Sequence, residues 1–77
     1  MTKLERIISI IPGNAPVTVA DYITGEIFID RETAYNIIHG NDERWHRMNG
    51  GGLKNYHVYK IEVGKTYGDL IISILKD

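Results

Sequence analysis

The residues able to do chemistry in this 77-residue chain are few and scattered. Its three histidines are His39, His46 and His57. They fall at a helix end, in a short helix and in a strand. None is spaced as HxH, HxxxH or HExxH, the patterns that set two imidazoles on one metal. They read as surface or capping histidines, and no metal site is expected. Asp21, Glu26 and Asp30 gather around one hairpin. Two carboxylates are the least that acid/base catalysis needs, but turn carboxylates are usually solvated, and an acidic rim is the expectation here. Ser9 and Ser73 each lie inside an apolar run, and neither sits on a nucleophile elbow. There is no cysteine. That removes disulfides, thiolate nucleophiles and cysteine-based zinc sites together. Asn49-Gly50-Gly51-Gly52-Leu53-Lys54 invites comparison with a phosphate cradle. It lacks the preceding strand, the GK[ST] ending and the following helix, and reads as a flexible connector. No catalytic, cofactor-binding or metal residue is assigned, no cofactor is expected, and the chain is not expected to be an enzyme.

The most distinctive surface candidate is Arg44-Trp45-His46-Arg47-Met48, followed by Lys54. A lone tryptophan flanked by arginines is the residue mix of interface hot spots. Basic and aromatic side chains together also suit stacking on single-stranded nucleic acid. A third reading packs Trp45 and Met48 inward at i, i+3 spacing and leaves the arginines solvated. Asp42 and Glu43 weaken the basic patch, and the formal net charge of −1 supplies no field for a polyanion. The expectation is a partner-binding segment made of Arg44, Trp45, His46, Arg47 and Lys54, with Trp45 partly exposed. Were Trp45 a core residue, the acidic first hairpin around Asp21 and Glu26 would be the surface to consider.

The elements that must position these residues follow from local pattern. Thr2 with Glu5 is a capping-box spacing. Leu4, Ile7, Ile8 and Ile11 then share one helical face, and Pro12-Gly13-Asn14 stops a helix over about 2–11. Val17 to Asp30 reads as a hairpin with Thr24-Gly25 at its tip. Asp30 suits an N-cap and Gly40 a C′ position, which predicts a helix over 31–38. Asp42 to Asn49 predicts a short third helix. Tyr56–Val63 and Leu70–Leu75 predict a second hairpin across GKTYGD. The fold class expected is α+β, with a four-stranded antiparallel sheet built from two hairpins, in one domain over 1–77. The helical spacing of Leu4, Ile7, Ile8 and Ile11 and strict strand alternation of Val19, Ile27, Ile29, Ile61, Ile72 and Ile74 put these ten residues in the core. Phe28, Val58, Ile71 and Leu75 then form a second apolar face, to be covered by the later helices or by a second copy in a homodimer. The hydrophobic share of 43% and charged share of 25% are those of a globular chain. The apolar run after Lys3, Glu5 and Arg6 is too short for a signal segment or membrane span. With the lack of cysteine, this fits a reducing cytoplasm and no membrane.

The run Val17-Thr18-Val19-Ala20-Asp21-Tyr22-Ile23-Thr24-Gly25-Glu26-Ile27 after a short helix resembles a group of small proteins carried by phages and integrative elements. The closing strands Val58–Val63 and Leu70–Ile74 suit the same plan. The stretch from Arg31 to Lys54 is longer than the group leads one to expect. The resemblance implies no catalytic residue and no cofactor. It implies a mobile-element accessory protein, a kind that includes inhibitors of host defence systems such as CRISPR nucleases. The expected function is therefore a small binding module that occludes a host protein or nucleoprotein. The alternative is a single-stranded nucleic-acid binder using the segment 44–54.

Overall fold

The computed structural model describes residues 2–46 and 51–75. The described elements run α1 (Leu4–Ser9), β1 (Pro16–Asp21), β2 (Ile27–Thr33), α2 (Ala34–His39), α3 (Glu43–His46), a 3-10 turn (Leu53–Asn55), β3 (His57–Val63) and β4 (Leu70–Leu75). This is an α+β domain. Its four-stranded sheet has the order β2-β1-β4-β3. β1–β2 and β3–β4 are antiparallel hairpins, as their turns predict. The two central strands, however, run parallel, so the sheet is mixed rather than wholly antiparallel. The cause lies in the connection. The chain leaves β2 through α2, α3 and the 3-10 turn, and returns as β3 at the opposite edge. β4 holds the apolar run Leu70-Ile71-Ile72 and shares the centre of the sheet with β1.

The helices lie on one side. Leu4 and Ile8 of α1, Ala34 and Ile37 of α2, Trp45 of α3 and Leu53 cluster with Val17, Val19, Ile29, Ile72 and Ile74 in a single core. Helix boundaries are tighter than predicted. α1 begins at Leu4 with no side-chain cap. Thr2 instead accepts a hydrogen bond through its carbonyl from Val58 N–H at 2.8 Å, and so ties the chain start to β3. α2 is capped by Thr33, whose hydroxyl accepts from Asn36 N–H at 3.2 Å. Asp30 to Thr33 belong to β2 rather than to the helix. α3 starts where Asp42 accepts from the Arg44 N–H at 2.8 Å. Its predicted end, from Arg47 to Asn49, lies outside the described residues. Among the described residues no helix is long and apolar enough to cross a membrane.

The ladders carry three bulges, one of them between Val17 and Val19, and the other two overturn the strict alternation of the apolar residues. Val19 faces Ile29 and Ala20 faces Ile27, so Phe28 is an extra residue in β2. Val58 faces Ile74 and Lys60 faces Ser73, so Tyr59 is an extra residue in β3. An inserted residue flips the side-chain parity of all that follows. Phe28 and Val58 thus pack against the core, instead of forming a second apolar face. Ile27 is thrown onto the helix-free side and is 57% exposed. Ile61 stays on the side of Ile72, opposite which it pairs. It is nonetheless 47% exposed, because it sits on an edge strand and α1 meets β3 only sparsely. Ile7 and Ile11 are half-buried against the core. The remaining predicted core residues, Leu4, Ile8, Val19, Ile29, Ile72 and Ile74, are buried.

Candidate functional site: the open face of the sheet

Among the described residues of the basic-aromatic segment, the tryptophan is turned inward. Trp45 is 2% exposed and belongs to the core cluster. The expectation of a partly exposed Trp45 is therefore corrected: a four-residue helix is marginal alone, and burying its one large side chain is what docks it. Arg44 is exposed but committed. Its guanidinium grips Asp42 with Nε at 3.2 Å from Oδ1 and Nη2 at 2.8 Å from Oδ2. The hydrogen bond from Arg44 holds the Asp42 carboxyl below its ordinary pKa, and Asp42 holds Arg44 above its own. His46 is exposed, and Lys54 is half-buried in the 3-10 turn. Arg47 lies outside the described residues. The structure therefore brings Arg44 together with Asp42 and buries the tryptophan beside it.

The acidic rim of the first hairpin is structural at its centre. Asp21 Oδ1 accepts from the N–H groups of Ile23 at 2.7 Å and Thr24 at 3.2 Å. It closes the turn that Gly25 completes at φ 77°. Among the described residues no group of three or more His, Asp or Glu side chains is placed to hold a metal ion.

A different surface stands out. The described helices pack on one face, and among the described residues no helix covers the other. Alternation and the two bulges give it Thr18 and Ala20 from β1, Ile27 from β2, Ile71, Ser73 and Leu75 from β4, and Lys60 and Glu62 from β3. At one end Tyr22 and Tyr59 put their rings 4.1 Å apart at an angle of 33°. Both are exposed, and the Tyr22 phenol raises the pKa of Tyr59 above its ordinary value. At the other end the Arg31 guanidinium lies 4.1 Å over the Tyr67 ring. Asp30 pairs with Arg31 at 3.1 Å and raises its pKa further. A shallow groove of about 260 Å³ runs here between Ile27, Ile71, Arg31 and Tyr67.

The Arg31 end is built with some cost. Val17 faces Glu32 and Val19 faces Ile29, so Asp30 and Arg31 together stand opposite Thr18. Arg31 sits at φ 53°, the left-handed region that side chains with a Cβ disfavour. A short buried relay holds it there. Arg31 N–H donates to Thr18 Oγ1 at 3.1 Å, and the Thr18 hydroxyl donates to Asp69 Oδ2 at 2.5 Å. Thr18 and Asp69 are both buried. Gly64 must lack a side chain, because a Cβ there would collide with Asp69 Oδ1. The relay thus fixes the 64–69 turn, and with it Tyr67, against Arg31.

None of Thr18, Arg31, Tyr67 and Asp69 is marked by sequence pattern as a functional residue. The one local signal is the glycine pair bracketing Lys65-Thr66-Tyr67, which announces a defined turn without saying what it contacts. Comparison of the chain with protein-family models, curated proteins and solved structures finds no match.

Proposed function

We propose that this chain is a small non-enzymatic binding module that engages a partner protein through the open face of its sheet. The observation that carries this reading is the pair of ordered aromatic groups, Tyr22–Tyr59 and Arg31–Tyr67, at the two ends of a face that no helix covers. Rigid tyrosines and arginines are the side chains that dominate interface energetics, because they bury much area for little lost entropy. Two of the cations of this face are matched locally, Lys60 at 3.7 Å from Glu62 and Arg31 at 3.1 Å from Asp30, with Lys65 of the groove as the third, and the formal net charge is −1. A polyanion gains most from unpaired positive charge, so the balance favours a protein. Occlusion of a partner needs only such a scaffold and no chemistry. The resemblance to phage and integrative-element proteins favours a host macromolecule as the target, with a defence nuclease among the candidates.

The test compares capture by three immobilised forms in a lysate of the encoding organism. These are the wild type, the face variant Tyr22→Ala with Arg31→Ala, and the segment variant Arg44→Ala with Lys54→Ala. Removing central anchors costs about 2 kcal/mol or more of affinity, roughly thirtyfold. The face variant is expected to lose a species that the segment variant keeps, with both far-ultraviolet spectra unchanged. Loss with the segment variant alone would return the site to 44–54. If that loss is accompanied by steep salt dependence on a single-stranded oligonucleotide, the nucleic-acid reading replaces this one.

A further inference from the structure

We propose that the outer edge of β3 is a homodimer surface, on which a second copy of this chain adds its own β3 antiparallel, centred on Ile61. This goes beyond the open-face reading and does not rest on it. β3 is an end strand. Among the described residues its edge is closed only at the start, where Val58 N–H donates to the Thr2 carbonyl at 2.8 Å and Lys3 bridges His57. From Tyr59 to Val63 no described segment pairs with it. An unprotected edge is a template for another strand.

The direction of the free backbone groups sets the register. Gly64 N–H donates inward to the Asp69 carbonyl at 2.7 Å. N–H and C=O alternate sides along a strand, so Ile61 and Val63 turn theirs outward. Two antiparallel copies can then place Ile61 opposite Ile61 and exchange both backbone hydrogen bonds. In that register Lys60 falls opposite Glu62 of the second copy, and Glu62 opposite Lys60 of the second copy. These are the closer, non-hydrogen-bonded pairs, where opposite charges help most. Tyr59 falls opposite Val63 of the second copy. Ile61 and Val63, now 47% and 65% exposed on the helix side of the sheet, gain apolar neighbours.

An edge lysine often prevents such pairing. Here it selects among registers instead. Centring on Lys60 sets Lys60 against itself, and centring on Glu62 sets Glu62 against itself. Only the Ile61 centre makes both charges complementary. The contact is short and falls below the size of standard interfaces, so the dimer is a reversible one that fills with concentration.

Sedimentation velocity across micromolar to millimolar concentration reads this directly. Wild type is expected to move from monomer toward dimer mass. Lys60→Glu and Glu62→Lys each replace two attractive pairs by two repulsive ones, and each should raise Kd at least about tenfold at low salt. The double swap, Lys60→Glu with Glu62→Lys, should restore Kd to within about threefold of wild type. Both side chains are about half exposed, at 48% and 52%, so all three variants should fold, with circular dichroism as the check. A wild type that stays monomeric throughout overturns the proposal. So does a dimer that the single reversals leave intact, or one that the double swap fails to restore.

Discussion

Trp45→Ala separates a structural tryptophan from a binding one. The side chain is among the largest fully buried in the chain. It is the main apolar link between α3 and the body, beside Leu53 of the 3-10 turn. Trp→Ala in a core typically costs about 3–5 kcal/mol. A domain of 77 residues at roughly 0.05–0.15 kcal/mol per residue has about 4–12 kcal/mol in total. The variant should therefore lose from a quarter to all of its stability. Urea unfolding followed by far-ultraviolet circular dichroism measures this, with the midpoint falling and the slope little changed. Trp45→Phe should recover much of the loss, since an apolar ring refills most of the site. Arg44→Ala is the neighbouring control. Its ion pair with Asp42 is half exposed, so it should cost under about 1 kcal/mol. A Trp45→Ala protein within about 0.5 kcal/mol of wild type would refute the core assignment. The segment 44–54 would then again be the leading partner surface.

Two further outcomes test the Arg31 end of the open face. Thr18→Val keeps the shape but strands the Asp69 carboxylate and the Arg31 N–H, so it should cost about 2–4 kcal/mol in urea unfolding. Thr18→Ser, which keeps both hydrogen bonds, should cost no more than about 1 kcal/mol, and equal losses for the two would dismiss the relay. At position 31, where φ is 53°, Arg31→Asn should stay within about 0.5 kcal/mol of wild type. Arg31→Val should cost about 2 kcal/mol or more, because a β-branched side chain resists the left-handed region. A valine variant as stable as the asparagine one would show that the backbone relaxes there.

Local pattern carried most of the elements, and its failures have physical causes. The hairpins were legible because Thr24-Gly25 and the 64–69 turn hold glycines where the backbone reaches φ 77° and 68°. The parallel pairing of β1 with β4 was not, because nothing local in either strand says which way a helical crossover will carry the chain. The helix starts slipped for a related reason. Thr2 and Asp30 are good caps on propensity alone, but both are held in strand-like pairing, so Thr33 caps α2 and α1 starts uncapped. For the site, Trp45 illustrates an ambiguity that composition cannot resolve. A tryptophan between two arginines fits an interface and a docked helix equally well, and burial decides. The relay from Arg31 through Thr18 to Asp69 was hidden because its members are 51 residues apart at the Thr18–Asp69 step.

The bulges at Phe28 and Tyr59 matter beyond bookkeeping of faces. Under strict alternation Ile27 would lie beside Ile29 in the core, and Ile61 would lie on the opposite face from Val58. The inserted residues reverse both relations. The first places Ile27 on the helix-free face, whereas Ile61, brought by the second onto the helix side with Val58, is exposed because β3 is an edge strand. Leaving a large aliphatic side chain about half exposed forgoes roughly 1 kcal/mol of the burial it could have, which is not negligible in a domain of this size. The two exposures fall on the two surfaces that carry independent signs of recognition: ordered aromatic groups on the face, and a self-complementary Lys60–Glu62 pattern on the edge. On the two proposals, the burial that Ile27 and Ile61 forgo in the monomer would be regained against a partner, which gives their exposure a cause that the still more exposed Ile10 and Ile23 do not share.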